Sequence, residues 1–317
     1  MRCGWPLGRV RRETLTVAAL CGAWYVLSSA SNVVGKLALG EFPFPLTVAM
    51  VQLTAASALT GPALALCGVR APAPRLRPLL PLAAAKFLTT LCSQVSIWKV
   101  PVSYAHTVKA TTPLWTAGLA FVLWGERVPP RVGAALVLIA AGVGVASATE
   151  LHFHALGLGA ALAAAALLSL QHLYSKRVLR DTGVHHLRLL QALSALAAAL
   201  FAPLWAWQDG AALLGGAGLG DRWRYAAALL AADGVLAWLQ AVAAFSVLSR
   251  VTPLAYGVAS AAKRAAVVAA SLLVLRNPAP PLNVAGMALA AAGVLVYNRA
   301  KAGPQRRDAA RRPLLPV

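Results

Sequence analysis

Two adjacent cations, Lys263 and Arg264, interrupt an apolar run that extends from Tyr256 to Leu275. The run is long enough to cross a bilayer, because about 20 helical residues span its hydrocarbon core. A cation at the centre of such a helix costs about 2.5–3.5 kcal/mol on the membrane-insertion scale. Snorkelling of both side chains to the membrane surface is the alternative, but the pair lies in the middle of the run. We therefore predict that these two residues bind an anion inside the membrane.

Other ionisable residues also lie inside apolar runs. Lys109 and Lys86 are cations at similar depth, and for Lys86 the sequence does not decide between function and snorkelling. His106 lies one turn before Lys109, where a helix-packing hydrogen bond is favoured over proton sensing. Asp233 is expected either to pair with a cation or to reach water near a helix end. Because one carboxylate cannot neutralise Lys109, Lys263 and Arg264 together, an excess of positive charge remains for a substrate.

The composition predicts an all-α polytopic membrane protein. Hydrophobic residues make up 59% of the chain and charged residues 12%, whereas a soluble domain usually contains about 25% charged residues. Repeated apolar runs of spanning length predict about ten transmembrane helices. The predicted spans are Thr14–Leu39, Phe44–Cys67, Leu79–Trp98, Val102–Trp124, Val132–Ala148, Ala155–Tyr174, Leu187–Trp207, Tyr225–Leu248, Pro253–Leu275 and Leu282–Tyr297.

The distribution of positive charge argues for a membrane topology and against nucleic-acid binding. The formal net charge is +20, but the basic residues form short clusters between apolar runs. An even number of spans with both termini in the cytosol puts most of the 29 basic residues on the cytosolic side, as the positive-inside rule requires. The sequence has no P-loop, metalloprotease motif, nucleophile elbow or metal-ligand spacing. We therefore expect no enzyme activity, no cofactor and no metal site.

Two segments of the chain repeat. "KVPVSYAHTVKATTPL" resembles "RVTPLAYGVASAAKRA", and "PPRVGAALVLIAAGVGV" resembles "PPLNVAGMALAAAGVLV", in which Gly142 matches Gly293. Five spans per repeat is an odd number, so the two repeats have opposite orientations in the membrane. Inverted repeats with a substrate site near the midplane are a transporter architecture. This symmetry brings Lys109 of the fourth span and the Lys263–Arg264 pair of the ninth towards one site.

The predicted domain organisation is simple. We expect a cytosolic N-terminus at residues 1–13, one transporter domain at residues 14–300, and a basic cytosolic tail at residues 301–317. Within the transporter domain, repeat one covers residues 14–150 and repeat two covers residues 151–300.

Five segments of the chain have a recognisable pattern: "NVVGKLALGEFPFPLTV", "VPVSYAHTVKATTPLW", "LYSKRVLRD", "VTPLAYGVASAAKR" and "NVAGMALAAAGVLVYNRAK". These segments resemble the triose-phosphate translocator family of the drug/metabolite transporter superfamily. Within that superfamily, "VSIWKVPVSYAHTVKAT" and "HHLRLL" are similar to the E subgroup of solute carrier family 35. The resemblance implies a ten-helix fold and antiport by alternating access.

The resemblance also implies a set of substrate-binding residues. Plastid members hold phosphate with a Lys on the fourth helix and a Lys-Arg pair on the ninth, which correspond to Lys109, Lys263 and Arg264. Their third helix carries a His and, three residues later, a Thr, which correspond to Thr90 and Ser93. Their eighth helix carries a Tyr, which corresponds to Gln240. Ser93 can still donate to phosphate, whereas Thr90 and Gln240 depart from the plastid pattern, so triose phosphate itself is in doubt.

These observations lead to a principal hypothesis and two alternatives. The principal one is a secondary antiporter of the Golgi or endoplasmic reticulum membrane that exchanges a nucleotide sugar, sugar phosphate or small phosphorylated metabolite for phosphate or a nucleotide monophosphate. We expect no plastid transit peptide, because the short basic N-terminus leads directly into the first apolar run. The first alternative is a non-transporting membrane scaffold of the same fold. The second is proton-coupled uptake of a neutral solute through His106 and Asp233. Expected partners are the phosphorylated substrate and the lipid bilayer, with a homodimer left open.

Overall fold

The computed structural model describes residues 7–66, 68, 79–125, 127–182, 186–216, 222–248, 250–251, 253–276 and 279–311. Throughout this part of the chain the regular secondary structure is helical. The α-helices are α1 (Leu7–Glu41), α2 (Pro45–Leu66), α3 (Leu80–Lys99), α4 (Val102–Val108), α5 (Thr112–Trp124), α6 (Pro130–Ala148), α7 (Ala155–Thr182), α8 (His186–Trp205), α9 (Ala211–Leu214), α10 (Trp223–Leu248), α11 (Pro253–Leu275) and α12 (Pro281–Arg311). A 3₁₀ turn at Lys109–Thr111 joins α4 to α5, and a π-helix at Ala206–Gly210 joins α8 to α9.

Nine helices in the described ranges are long and apolar enough to cross a membrane. The prediction of an all-α, multi-span protein is confirmed. The fourth predicted span, Val102–Trp124, forms α4, the 3₁₀ turn and α5 instead of one continuous α-helix. The seventh, Leu187–Trp207, ends inside the π-helix.

Three helices extend beyond the predicted apolar spans. α1 begins at Leu7, α7 continues to Thr182 and α12 continues to Arg311. The predicted boundaries at residues 13 and 300 are therefore not helix ends. A helix satisfies its own backbone groups in water as well as in lipid, so the loss of apolar residues does not end it. The last residues of the predicted tail, 312–317, lie outside the described residues, as do residues 217–221 between the seventh and eighth predicted spans.

The chain forms two compact units, and each contains helices from both predicted repeats. The first unit comprises Met1–Phe87 and Arg177–Ala259, and the second comprises Leu88–Lys176 and Ser260–Val317. The predicted repeats are continuous in sequence, whereas these packing units are not.

In the first unit, α1 packs on α10, and α2 packs on both α8 and α10. One apolar cluster joins α2, the start of α3 and α8, and includes Leu53, Leu82 and Leu193. At another point the Trp24 ring stacks on Tyr256 with ring centroids 5.3 Å apart. These contacts bury Trp24, Leu53, Leu82 and Leu193.

The N-terminus of α2 is capped by a carboxylate from the π-helix of the first unit. Asp209 Oδ2 accepts hydrogen bonds from the Thr47 backbone N–H at 2.8 Å and from the Thr47 hydroxyl at 2.7 Å. The Trp205 indole donates to the same hydroxyl at 3.0 Å. The first N–H groups of a helix have no partner within the helix, so a carboxylate here stabilises both those groups and the helix dipole.

In the second unit, α6 and α12 pack at backbone contact distance through small residues. A Cβ atom added at Gly142 would lie 2.4 Å from the Ala290 backbone nitrogen. A Cβ added at Gly286 would lie 2.6 Å from the Ala146 nitrogen. The Asn283 side-chain amide donates to the Ala146 carbonyl at 2.8 Å and so adds a polar contact between the same two helices. This close approach is the packing mode that membrane helices use where small residues face each other.

Candidate anion-binding site

Lys109 lies where the predicted fourth span breaks. α4 ends at Val108, residues Lys109–Thr111 form a 3₁₀ turn, and α5 begins at Thr112 with Pro113 in its first turn. Proline has no backbone N–H, and its ring clashes with the carbonyl four residues earlier, which here belongs to Lys109. The proline therefore explains why the α-helical pattern stops at Lys109 and resumes after it.

The break exposes a carbonyl to which Arg264 of α11 binds. Arg264 Nη1 donates a hydrogen bond to the Lys109 carbonyl oxygen. Both terminal nitrogens of Arg264 lie 3.4 Å from the Thr112 hydroxyl oxygen. That hydroxyl in turn donates to the Lys109 carbonyl at 2.6 Å. The guanidinium is therefore held against the 3₁₀ turn that carries Lys109.

The three predicted cations cluster within the second unit. Lys263 interacts electrostatically with both Arg264 and Lys109. His106 is buried one turn before Lys109 and lies within electrostatic range of all three cations. The choice between helix packing and proton sensing for His106 stays a prediction.

A cavity of about 220 Å³ adjoins this cluster within the second unit. His106 and Arg264 contribute its polar lining, together with Thr107. The rest of its wall consists of apolar side chains, including Val268 and Leu272 of α11 and Met287 of α12. Of the three cations, Arg264 lines this cavity, whereas Lys109 and Lys263 are not among its lining residues. An apolar cavity with a few polar groups is typical of small-molecule binding.

Two of the residues implied by the family resemblance lie on α3 in the second unit. Thr90 and Ser93 are three residues apart and so share one side of the helix. Their neighbour Cys92 is within electrostatic range of Lys109. The roles of Thr90 and Ser93 in substrate binding stay predictions.

Gln240 lies on α10 in the first unit, whereas the other five predicted site residues belong to the second unit. Its side-chain oxygen is buried and has no hydrogen-bond partner among the described residues. A buried amide oxygen without a partner loses its hydrogen bonds to water without compensation. Its role in substrate binding stays a prediction.

Asp233 lies two helical turns before Gln240 on α10 and is fully buried. The Ser31 hydroxyl donates to its Oδ1 at 3.2 Å, and the Gln52 amide donates to its Oδ2 at 2.7 Å. Both donors are neutral, so these contacts do not support the expected pairing of Asp233 with a cation. The expectation that Asp233 reaches water is wrong, because no part of the residue is exposed.

The sequence interpretation missed Thr112 and Pro113. A proline four residues after Lys109 could have indicated a break in the helix, because it removes the α-helical hydrogen bond to the Lys109 carbonyl. The contact between Thr112 and Arg264 has no signal in a single sequence, because it joins residues far apart in the chain.

Fold and site together describe a polytopic helical membrane protein with a cationic cluster beside a cavity. The chain belongs to the triose-phosphate transporter family, whose model matches residues 15–298. The predicted family membership is thereby confirmed, while the finer assignment to the E subgroup of solute carrier family 35 stays a prediction.

Curated relatives in plants are similar along most of the chain. The phosphoenolpyruvate/phosphate translocator 1, chloroplastic, of Oryza sativa subsp. japonica is 30% identical over 91% of this chain and 72% of its own length. The triose phosphate/phosphate translocator, non-green plastid, chloroplastic, of Brassica oleracea var. botrytis is 30% identical over 91% of this chain and 74% of its own. These relatives are translocators whose names pair a phosphorylated metabolite with phosphate.

A solved structure supports the fold. It is titled only as a crystal structure of a protein, and it matches with a TM-score of 0.53 over 93% of this chain and 98% of its own. The identity of 18% limits this similarity to the fold.

Proposed function

We propose that this protein is a secondary antiporter that exchanges a phosphorylated organic anion for phosphate by alternating access. The observation that carries the proposal is the cluster of Lys109, Lys263 and Arg264 within one compact unit. Arginine presents a planar fork of donors that matches phosphate oxygens, and lysine adds a compact point charge. Three cations at membrane depth thus have the chemistry of a phosphate site.

The cluster gives obligate exchange a physical basis. Like charges in a site of low dielectric repel each other, and each is costly to bring to membrane depth. At an effective dielectric constant of about 20, the Coulomb attraction between a single phosphate charge and a cation about 4 Å away is about 4 kcal/mol. The occupied site therefore crosses between its two access states more readily than the empty site, and one anion must replace another.

The relatives' names favour small phosphorylated metabolites as substrates. We extend the proposal to sugar phosphates and nucleotide sugars, with phosphate or a nucleotide monophosphate as the counter-substrate. Thr90 and Gln240 replace the His and Tyr implied by the resemblance, so we expect the part of the substrate beyond its phosphate to differ from triose phosphate. Ser93 remains as a hydroxyl donor to the phosphate.

We also propose a Golgi or endoplasmic reticulum location with both termini in the cytosol, although the relatives carry chloroplastic names. The distribution of basic residues supports this orientation. Epitope tags at each end, probed after selective permeabilisation of the plasma membrane, test it. Both tags should be stained in that state, and a tag that needs full permeabilisation contradicts the orientation. Chemical cross-linking in the same membranes tests a homodimer.

An exchange screen tests the proposed function. The purified protein is reconstituted in vesicles that contain either phosphate or an inert buffer, and uptake of labelled phosphate, phosphoenolpyruvate, sugar phosphates and nucleotide sugars is measured. We expect uptake only into vesicles loaded with a counter-anion. Equal uptake into empty vesicles would exclude obligate exchange, and no uptake of any anion would favour the scaffold alternative.

A further inference from the structure

Arg264 binds the carbonyl at which the α-helical hydrogen bonds of the fourth predicted span are interrupted. In a continuous helix the Lys109 carbonyl would accept the N–H of residue 113, but Pro113 has none. The Thr112 N–H instead closes the 3₁₀ turn to the Lys109 oxygen, and Arg264 donates to the same atom. A carbonyl oxygen has two lone pairs and can accept more than one donor. Pro113 thus replaces the α-helical bond to this carbonyl by a 3₁₀ bond, and Arg264 binds beside that bond.

The Thr112 hydroxyl completes this arrangement. It lies at the same 3.4 Å from both terminal nitrogens of Arg264, so it faces the end of the guanidinium symmetrically. It also donates to the Lys109 carbonyl at 2.6 Å. The Ser169 hydroxyl donates to the Thr112 carbonyl at 2.9 Å and ties the start of α5 to α7. The acceptors of Arg264 are therefore themselves held in place.

We propose that Thr112 and Pro113 are positioning residues, which hold the Arg264 guanidinium beside Lys109 before substrate binds. Repulsion from Lys109 and Lys263 would otherwise drive the guanidinium away from the site, and the carbonyl and hydroxyl dipoles offset that repulsion. A side chain that is already ordered loses less rotamer freedom when it binds phosphate. The inference rests on the proposed function, because it assigns phosphate as the anion that Arg264 receives.

Kinetics of phosphate exchange in vesicles provide the first test. Thr112→Val removes the hydroxyl at nearly unchanged volume, and we expect a rise of about tenfold in the phosphate KM, as for the loss of one charge-assisted hydrogen bond, with little change in kcat. Thr112→Ser keeps the hydroxyl and should restore a KM within about twofold of wild type. Pro113→Ala supplies an N–H to the Lys109 carbonyl and should raise the KM in the same direction.

Thr116→Val is the matched control, since the Thr116 hydroxyl donates to the Thr112 carbonyl one turn away and not, among the described residues, to the acceptors of Arg264. It should leave the KM near the wild-type value. The positioning role is overturned if Thr112→Val keeps the wild-type KM, or if Thr116→Val raises the KM as much as Thr112→Val does.

A second measurement needs no transport. Phenylglyoxal, which modifies arginine, is applied to the purified substrate-free protein, and the labelling rate at Arg264 is followed by mass spectrometry. We expect several-fold faster labelling in Thr112→Val and Pro113→Ala than in wild type or Thr116→Val. Unchanged labelling would overturn the positioning role even where wild type exchanges phosphate. If the two variants are labelled faster than wild type but the wild-type protein exchanges no phosphate, the proposed function is contradicted and the positioning role is not.

Discussion

The contact between α6 and α12 makes a quantitative prediction for Gly142→Ala. The added Cβ would lie 2.4 Å from the Ala290 nitrogen and 2.8 Å from the Gly286 carbonyl oxygen. Both obstacles are backbone atoms, so α12 would have to move by about 1 Å, and we assign a cost of about 3 kcal/mol, at the upper end for overpacking. The better helix propensity of alanine returns about 1 kcal/mol. The net loss of stability is then about 2 kcal/mol.

Gly144→Ala provides the matched control on the same helix. No heavy atom lies within 4 Å of a Cβ added at Gly144. The same substitution should therefore stabilise the protein by about 0.5–1 kcal/mol. Thermal unfolding in detergent measures both variants, and we expect Gly142→Ala to melt about 4–8 °C below wild type while Gly144→Ala melts at or above it. Equal melting temperatures for the two variants would refute the close packing of α6 on α12.

Two buried carboxylates of the first unit give further predictions that the same melting assay checks. Asp209→Ala removes the acceptor of two Thr47 donors at the start of α2 and should lower the free energy of unfolding by about 1–3 kcal/mol. Asp209→Asn keeps one acceptor oxygen and should lower it by less. A wild-type melting temperature for Asp209→Ala would contradict the capping role. Asp233→Ala leaves the Ser31 and Gln52 donors without their acceptor and should cost about 1–3 kcal/mol for each donor that stays buried, with Asp233→Asn milder. No loss in Asp233→Ala would mean that the two donors find other partners.

The cationic part of the site could be predicted from the sequence. Lys109, Lys263 and Arg264 each interrupt an apolar run, and the cost of a charge at membrane depth makes such residues conspicuous without any structure. The repeated segments then indicated that the two helices that carry them serve one site. The structure brings these three side chains into electrostatic range, as that argument requires.

The break in the fourth span was predictable in part. Pro113 interrupts the α-helical hydrogen bonds, so a kink near Lys109 could have been expected. The partner of the exposed carbonyl could not, because Arg264 approaches from a helix far away in sequence. The cap of α2 could not be predicted for the same reason, since Asp209 lies 162 residues from Thr47 in the sequence.

Which helices pack against each other could not be predicted from the sequence either. Gly142 and Gly293 were predicted to be matching positions of two repeats, but a small residue does not by itself indicate which helix packs against it. In the structure both lie in the contact between α6 and α12, where a Cβ at Gly293 would meet Ile139 at 2.7 Å. The inverted relation of the two repeats stays a prediction.

The central claim is that the cationic cluster binds the phosphate group of a transported anion. Phosphate exchange by Lys263→Ala and Arg264→Ala in preloaded vesicles, compared with Lys99→Gln, tests it most directly. Lys99 is a cation of the same unit that lies over the Trp98 ring, 3.6 Å from its centroid, at the end of α3. We predict that both alanine variants fold but lose exchange, while Lys99→Gln exchanges phosphate at nearly the wild-type rate. Near-normal exchange by folded Lys263→Ala or Arg264→Ala would contradict the claim.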